Sequence, residues 1–331
     1  PSPQGTKWGL GGTCVNVGCI PKIMMHYAGE LYSQKKFFPL VGYPEEELKN
    51  GHNWNTMVEN VQNHIFSLNF GYKSQLRSNK VTYFNKRATF KDEHTLILTD
   101  RKGATQEVTA DKILVAVGLR PNYGDVPGAK EFCLTSDDLF SIQKPLGKTL
   151  IIGASYIALE CASFLCELGY PVTVMVRSIL LRGFDRDMAD KLGNVLQRRG
   201  ISFMMETVPL SFTKEGDKIK VEYKNCCETG SELFDTVLLA IGRTACTENI
   251  GLENAKVNLA KNGKLIVDQN DQTNVPNIYS IGDCSQGRPE LTPPAIYAGK
   301  LLARRLFNND PSIVDYENIP TTVFAAVEYS T

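Results

Sequence analysis

The sequence predicts an α/β protein whose main sheet is parallel, and two observations carry the prediction. "TLIIG" (149–153), a helical stretch, "PVTVMVR" (171–177), a second helix over about 186–199 and "ISFMME" (201–206) make a βαβαβ unit, an order that implies parallel strands. At 331 residues, 42% apolar and 22% charged, the chain is also long enough for two domains of about 100–200 residues each.

Taken in order, the elements begin at "GGTCVNVGCIPK" (11–22), where Cys14 and Cys19 follow paired glycines. "IPKIMMHYAGELYSQ" (20–34) reads as a helix with Pro21 in its first turn, where no backbone donor is needed. Asn55 is expected to cap a second helix from 56 to 72, with apolar positions 57, 61, 65 and 68 on one face. "VTYFN" (81–85), "ATF" (88–90) and "HTLILT" (94–99) read as short strands, and "KILVAVG" (112–118) as a buried one. Beyond the βαβαβ unit, "VLLAIGRTA" roughly echoes "ILVAVGLRP".

Composition excludes several classes. Lysine plus arginine equals aspartate plus glutamate at 36 each, so no overall field favours nucleic acid or an anionic membrane. No apolar run approaches the roughly 18 residues of a membrane span, and "PSPQGTKWGL" lacks a signal-peptide core. Nine scattered cysteines are an odd number, several in apolar contexts, which is intracellular usage with most thiols reduced. No metal site is expected. The partner expected from this balance is a small molecule or another protein.

The βα junction "TLIIGASYIALECASF" is the most informative. Gly153, Ser155 and Ala158 stand where a dinucleotide fold has Gly-x-Gly-x-x-Gly/Ala, and small residues there let a pyrophosphate meet a helix N-terminus. Where an NAD site has an acidic residue about 20 positions on, this chain has Arg177, followed by Arg182. Arginine pairs with a 2′-phosphate, so the expected nucleotide is NADPH. A hydride donor gives two electrons, and a dithiol/disulfide couple takes two. Cys19 lies at a helix start, where the dipole stabilises thiolate, and Lys22 adds positive charge. Between nicotinamide and disulfide one expects a flavin.

In its residues the chain resembles the pyridine nucleotide–disulfide oxidoreductases, the glutathione reductase-like flavoenzymes, over essentially its whole length. "GGTCVNVGCIPK" resembles their redox motif, "AVGLRP" their first flavin-domain turn, "GASYIALE" their NADPH turn, "AIGR" the return strand and "IYSIGDCSQGRPELTP" their second flavin motif. Within the family, "WGLGGTCVNVGCIPK" and "VTVMVRSILLRGFD" look like the large animal-type thioredoxin reductase and thioredoxin–glutathione reductase branch. The resemblance implies two interleaved Rossmann-like domains: FAD-binding segments at 1–145 and 275–316, an NADPH domain at 146–274, and the start of a dimerisation domain at 317–331. It also implies electron flow from NADPH to FAD to the Cys14/Cys19 disulfide to thioredoxin, in a homodimer. Cys19 would contact the flavin and Cys14 would be the interchange thiol. Lys22 would lie near the flavin, with Glu160 its partner and Tyr156 the ring covering the flavin. Gly12, Thr13, Gly118, Asp283 and Thr292 fall on FAD positions, and Gly153, Ser155, Ile157, Arg177, Arg182, Ile241 and Gly242 on NADPH positions, with Tyr156 and Glu160 beside them.

Some positions depart from the family pattern. Val117 replaces a usual threonine, Ile23 a second lysine and Phe70 a tryptophan, while Pro294 and Ala325–Ala326 interrupt the usual motifs. The family's opening Gly-x-Gly-x-x-Gly turn and its acid–base histidine are also missing, the last histidine being His94. A fragment that does not turn over alone is therefore expected. Glutathione reductase, a fused thioredoxin–glutathione reductase and a non-enzymatic NADPH-binding redox sensor remain alternatives. The expected compartment is the cytoplasm, with the mitochondrion as the other option.

Overall fold

The computed structural model describes residues 8–44 and 51–331. Helices α1 (Gly12–Val17) and α2 (Cys19–Gln34) are separated only by Gly18. A Cβ at Gly18 would press to 3.0 Å from the Thr13 carbonyl oxygen and 3.1 Å from Cys14 Cα, so glycine suits this tight junction between the helices. Helix α3 (Trp54–Ser78) starts earlier than the sequence suggests. The capping side chain is Asn53, not Asn55: its Oδ1 accepts the Thr56 N–H at 3.1 Å. Trp54 sets the entry, since it is buried and its indole N–H donates to the Ile142 carbonyl at 2.8 Å. The buried stripe is therefore Trp54, Val58, Val61 and Ile65, with Val58 in place of Met57.

Strands β1 (Arg87–Phe90), β2 (Thr95–Thr99) and β3 (Thr105–Thr109) form an antiparallel sheet. The strand expected at 81–85 does not form. Val81, Tyr83 and Phe84 are exposed there, and a strand without a partner ladder has nowhere to place its backbone donors and acceptors. The expected strand at 112–118 shrinks to β4 (Ile113–Val115) with Leu114 46% exposed, because Gly118 turns the chain at φ 67° into β5 (Leu119–Pro121). Then come α4 (Ala129–Phe132), β6 (Leu134–Thr135) and α5 (Ser136–Leu139). The βαβαβ unit follows as expected: β7 (Thr149–Ile152), α6 (Tyr156–Glu167), β8 (Val172–Val176), α7 (Arg186–Arg198) and β9 (Ser202–Met205). A meander of β10 (Val208–Glu215), β11 (Lys218–Lys224) and β12 (Thr229–Phe234) leads to β13 (Thr236–Leu239) and β14 (Arg243–Ala245). The described chain closes with β15 (Ile278–Ser280), α8 (Thr292–Asn308), β16 (Thr322–Val323) and β17 (Tyr329–Ser330).

Contacts divide the chain into two units. One comprises 13–70, 121–242 and 321–331. Its centre is a five-stranded parallel sheet in the order β6-β13-β7-β8-β9. Leu150, Ile152, Met175, Val237 and Leu239 of that sheet pack with Phe212, Val221 and Phe234 of the meander. Strand β7 is buried at all four positions, as expected for a parallel strand covered on both faces.

The other unit comprises 1–12, 71–120 and 243–320. In it β4 pairs in parallel with β15, and Ile113, Val115, Leu252, Leu265 and Ile278 share a core. A buried ion network ties its second half together. Asp271, whose side chain is 2% exposed, accepts from Arg288 at 3.0 Å and Arg305 at 2.8 Å, and Arg288 stacks 4.3 Å over the Tyr316 ring. One carboxylate between two guanidinium groups, each held further by backbone carbonyls, offsets the cost of taking these charges out of water.

Candidate functional site

Cys14 and Cys19 form a disulfide, with Cα atoms 4.6 Å apart. Local chain geometry makes this possible: Cys14 lies inside α1, the single residue Gly18 separates the two helices, and Cys19 is the first residue of α2. Cys19 is exposed and Cys14 half-buried. The free thiols differ. Burial pushes both Cys133 and Cys161 up to about 12, so these remain neutral, unreactive side chains at physiological pH.

Lys22 stands one turn along α2 from Cys19, but on the inner side of the helix. Its Nζ forms an ion pair with Glu160 of α6, both side chains being buried, and lies 4.9 Å from the centre of the Tyr156 ring. Burial pulls the Lys22 ammonium down; the Glu160 carboxylate, the hydrogen bond to it and neighbouring Cys161 and Tyr156 outweigh this and leave Lys22 above its ordinary value of 10.5. The Phe324 N–H donates to Glu160 Oε1 at 2.8 Å. Within this unit the structure therefore brings Cys14, Cys19, Lys22, Tyr156 and Glu160 into one chain of neighbours. Because Lys22 is neutralised by Glu160, the N-terminus of α2 is the positive end that favours a Cys19 thiolate.

Two positioning residues carry no motif signal. Gly29 lets α2 approach α6: a Cβ there would lie 3.1 Å from both the Phe164 carbonyl oxygen and Glu167 Cβ. Asn16 of α1 accepts from Asn69 Nδ2 of α3 at 3.1 Å. A buried glycine on a helix face was the one available hint for the first.

A second cluster forms at the C-terminal ends of three adjacent strands, β13, β7 and β8. Gly153 follows β7 at φ 129°, its N–H donates to the Met175 carbonyl of β8 at 3.1 Å, and a Cβ on it would collide with the Ala240 carbonyl beside β13. Ser155 is the N-cap of α6, and its side chain accepts no capping hydrogen bond from the first turn of the helix. Leu181 N–H donates to the Ala154 carbonyl at 2.8 Å, which folds the segment carrying Arg177 and Arg182 back over this turn. Both arginines are exposed, and Arg182 also donates to Ser178 Oγ at 2.9 Å. Ile157 is half-buried in the first turn of α6, and Ile241 and Gly242 are exposed just past β13.

In the other unit, Gly118 and Gly12 adopt φ 67° and 65°, with open space where a side chain would be. Arg243 donates to the Leu119 carbonyl at 3.0 Å and faces Asp283, which sits in a short 3-10 turn, Gly282–Cys284. Burial raises the Asp283 carboxyl, helped by Glu290 and opposed by Arg243 and Lys264. A Cβ at Gly282 would lie 3.1 Å from Ala295 in α8, so the turn abuts the start of that helix. Thr292 is the first helical residue of α8; the N-cap is Leu291. Thr13, the next residue of α1 and the first of the unit that holds the cysteine pair, is half-buried.

Residues 6–299 match the family described as "Pyridine nucleotide-disulphide oxidoreductase". The chain is 50% identical over 340 residues to "Thioredoxin reductase SEP1" of Emiliania huxleyi, covering 99% of this chain and 68% of that protein. It is 47% identical over 334 residues to "Thioredoxin reductase 2, mitochondrial" of Drosophila melanogaster, covering 100% and 64%. Against "Thioredoxin reductase" of Plasmodium falciparum (isolate 3D7) the identity is 48% over 334 residues, covering 99% and 53%. The chain thus spans between about half and two thirds of the length of these relatives. No helix among the described residues is long and apolar enough to cross a membrane.

Proposed function

The chain belongs to the pyridine nucleotide-disulphide oxidoreductase family, and from that premise we propose that it is the flavin- and nucleotide-binding part of an NADPH-dependent thioredoxin-disulfide reductase. The observation that carries the reading is the Cys14–Cys19 disulfide at the start of α2, one helical turn from Lys22, whose ammonium is paired with buried Glu160 and lies over the Tyr156 ring. Relatives with nearly half of their matched residues identical bear the name thioredoxin reductase. On this reading segments 1–145 and 275–316 hold FAD and 146–274 holds NADPH. Thioredoxin is the disulfide substrate, a second copy of the protein the partner, and the cytoplasm the compartment.

The residues present fit both cofactors. At the NADPH position, Gly153 leaves a cradle that a side chain would fill, α6 starts just after it without a side-chain capping bond, and Arg177 and Arg182 supply charge for a 2′-phosphate. At the FAD position, Gly12 and Gly118 leave backbone open to close approach. There the Asp283 carboxyl, raised above its ordinary value by burial, can hydrogen-bond to hydroxyl groups. When bound, the cofactors supply two-electron reducing equivalents, which convert the Cys14–Cys19 disulfide to a dithiol. Cys14 thiolate then attacks the substrate disulfide, forming a mixed disulfide and releasing one substrate thiolate. Cys19 thiolate attacks Cys14 Sγ, which re-forms the internal disulfide and releases the second. The two thiolates take up two protons.

The test is NADPH oxidation with thioredoxin disulfide by the FAD-loaded protein that carries this chain. Cys14→Ser and Cys19→Ser should each abolish thioredoxin reduction, and Cys14→Ser alone should keep a long-wavelength absorbance band from the remaining Cys19 thiolate. Unchanged turnover in either variant would sink the reading; faster turnover with glutathione disulfide than with thioredoxin would replace the substrate.

A further inference from the structure

Cys226 and Cys227 lie outside the redox pair, and they are the two exposed free cysteines among the described residues. They occupy the tip of the β11–β12 hairpin, whose last ladder pair is Lys224 with Thr229. Hydrogen bonds close the tip. Asn225 N–H donates to the Glu228 carbonyl at 3.0 Å, and Asn225 Oδ1 accepts from the N–H groups of Cys227 and Glu228, both at 2.9 Å. The two Sγ atoms lie side by side at this turn, 3.0 Å apart.

We propose that the Cys226–Cys227 turn is a dithiol site for a trivalent organoarsenical, which both sulfurs chelate at once. Three alternatives fit the geometry less well. A disulfide between neighbours is strained: their Cα atoms are about 3.8 Å apart across a trans peptide, below the usual 4.4–6.8 Å, and the described chain has no cis peptide. A linear two-coordinate metal with bonds of about 2.3 Å would need sulfurs nearly twice that distance apart on opposite sides of it. A tetrahedral ion needs further ligands, and no group of three or more His, Cys, Asp or Glu capable of holding a metal occurs among the described residues. Arsenic(III) bearing one organic group is pyramidal, needs just two more ligands, and accepts them close to a right angle. One bridging atom also widens the ring and relieves the strain of the adjacent-residue disulfide. The step balances without redox change: an aryl arsenic(III) oxide and two thiols give an aryl dithioarsenite and one water, arsenic staying trivalent.

The experiment uses the full chain with Cys14–Cys19 kept oxidised and phenylarsine oxide as the probe. One equivalent should bind, two titratable thiols should disappear, and peptide mapping should find Cys226 and Cys227 protected from alkylation. A monothiol should leave the adduct intact and 2,3-dimercaptopropanol should remove it. Cys226→Ser and Cys227→Ser should each weaken binding by about 10²–10⁴-fold, the loss of the second, intramolecular contact. Circular dichroism of the variants checks the fold. Equal retention by the double variant Cys226→Ser/Cys227→Ser, no uptake by the wild-type chain, or a pair already joined as a disulfide in air would each overturn the proposal.

Discussion

Lys22 and Glu160 show how much a residue's role depends on its partner. Neither charge could stay buried alone, and breaking such a pair by removing one member typically costs about 3–5 kcal/mol. Lys22→Met should therefore lower unfolding free energy by about that amount, measured by urea titration. Lys22→Met/Glu160→Gln should recover much of it, because the glutamine is neutral and still accepts the Phe324 N–H. The pH dependence has a definite sign. Lys22 is raised above 10.5 in the folded chain, so folding binds its proton more tightly. The stability it adds is full below 10.5 and falls as pH rises through the folded value. The alkaline loss of stability should be smaller in the double variant than in wild type; equal losses would mean that another group titrates there.

At the scale of elements, the strand ends and helix starts decide what can bind. Gly153 ends β7 at φ 129°, and alanine would be strained there and would strike the Ala240 carbonyl. Gly153→Ala should destabilise the chain by more than about 1 kcal/mol and weaken NADP⁺ binding, read by thermal unfolding with and without nucleotide. Helix α7 offers a control away from that turn. Asp185 caps it by accepting the Met188 N–H at 2.9 Å. Asp185→Ala should cost about 0.5–2 kcal/mol, with the nucleotide-induced shift in melting temperature kept. The elements also show where sequence reading succeeds. The βαβαβ unit was legible to within a residue or two because a parallel strand such as β7 is apolar throughout and its helices are periodic. The strand expected at 81–85 was not, because apolar residues mark a strand only when a neighbour supplies the ladder.

For the molecule as a whole, nucleotide choice reads out the arrangement at the ends of β13, β7 and β8. A ligand that binds only the folded chain stabilises it by about 2.7 kcal/mol at 100 times its dissociation constant. NADP⁺ should raise the melting temperature well above the shift given by NAD⁺. Arg177→Ala/Arg182→Ala should reduce the NADP⁺ shift to the NAD⁺ level and leave the melting temperature without nucleotide within about 1 °C, since both side chains are exposed. Loss of both shifts together would show that the arginines shape the turn and do not read the phosphate.

The sequence by itself determined the parallel α/β class, the thiol pair, the small-residue turn at 153–158 and the arginines after β8. Each of these is a local pattern in which residue type follows directly from backbone geometry or charge. Tertiary structure alone decided that Lys22 is neutralised by a carboxylate 138 positions away in sequence, that Gly29 exists to let α2 meet α6, and that Trp54 moves the start of α3. It also separated the buried, neutral thiols Cys133 and Cys161 from the exposed pair at the β11–β12 tip. The physical reason is the same in each case. Burial and pairing depend on which distant segments pack together, and no local periodicity encodes the desolvation that sets a charge or a thiol's reactivity.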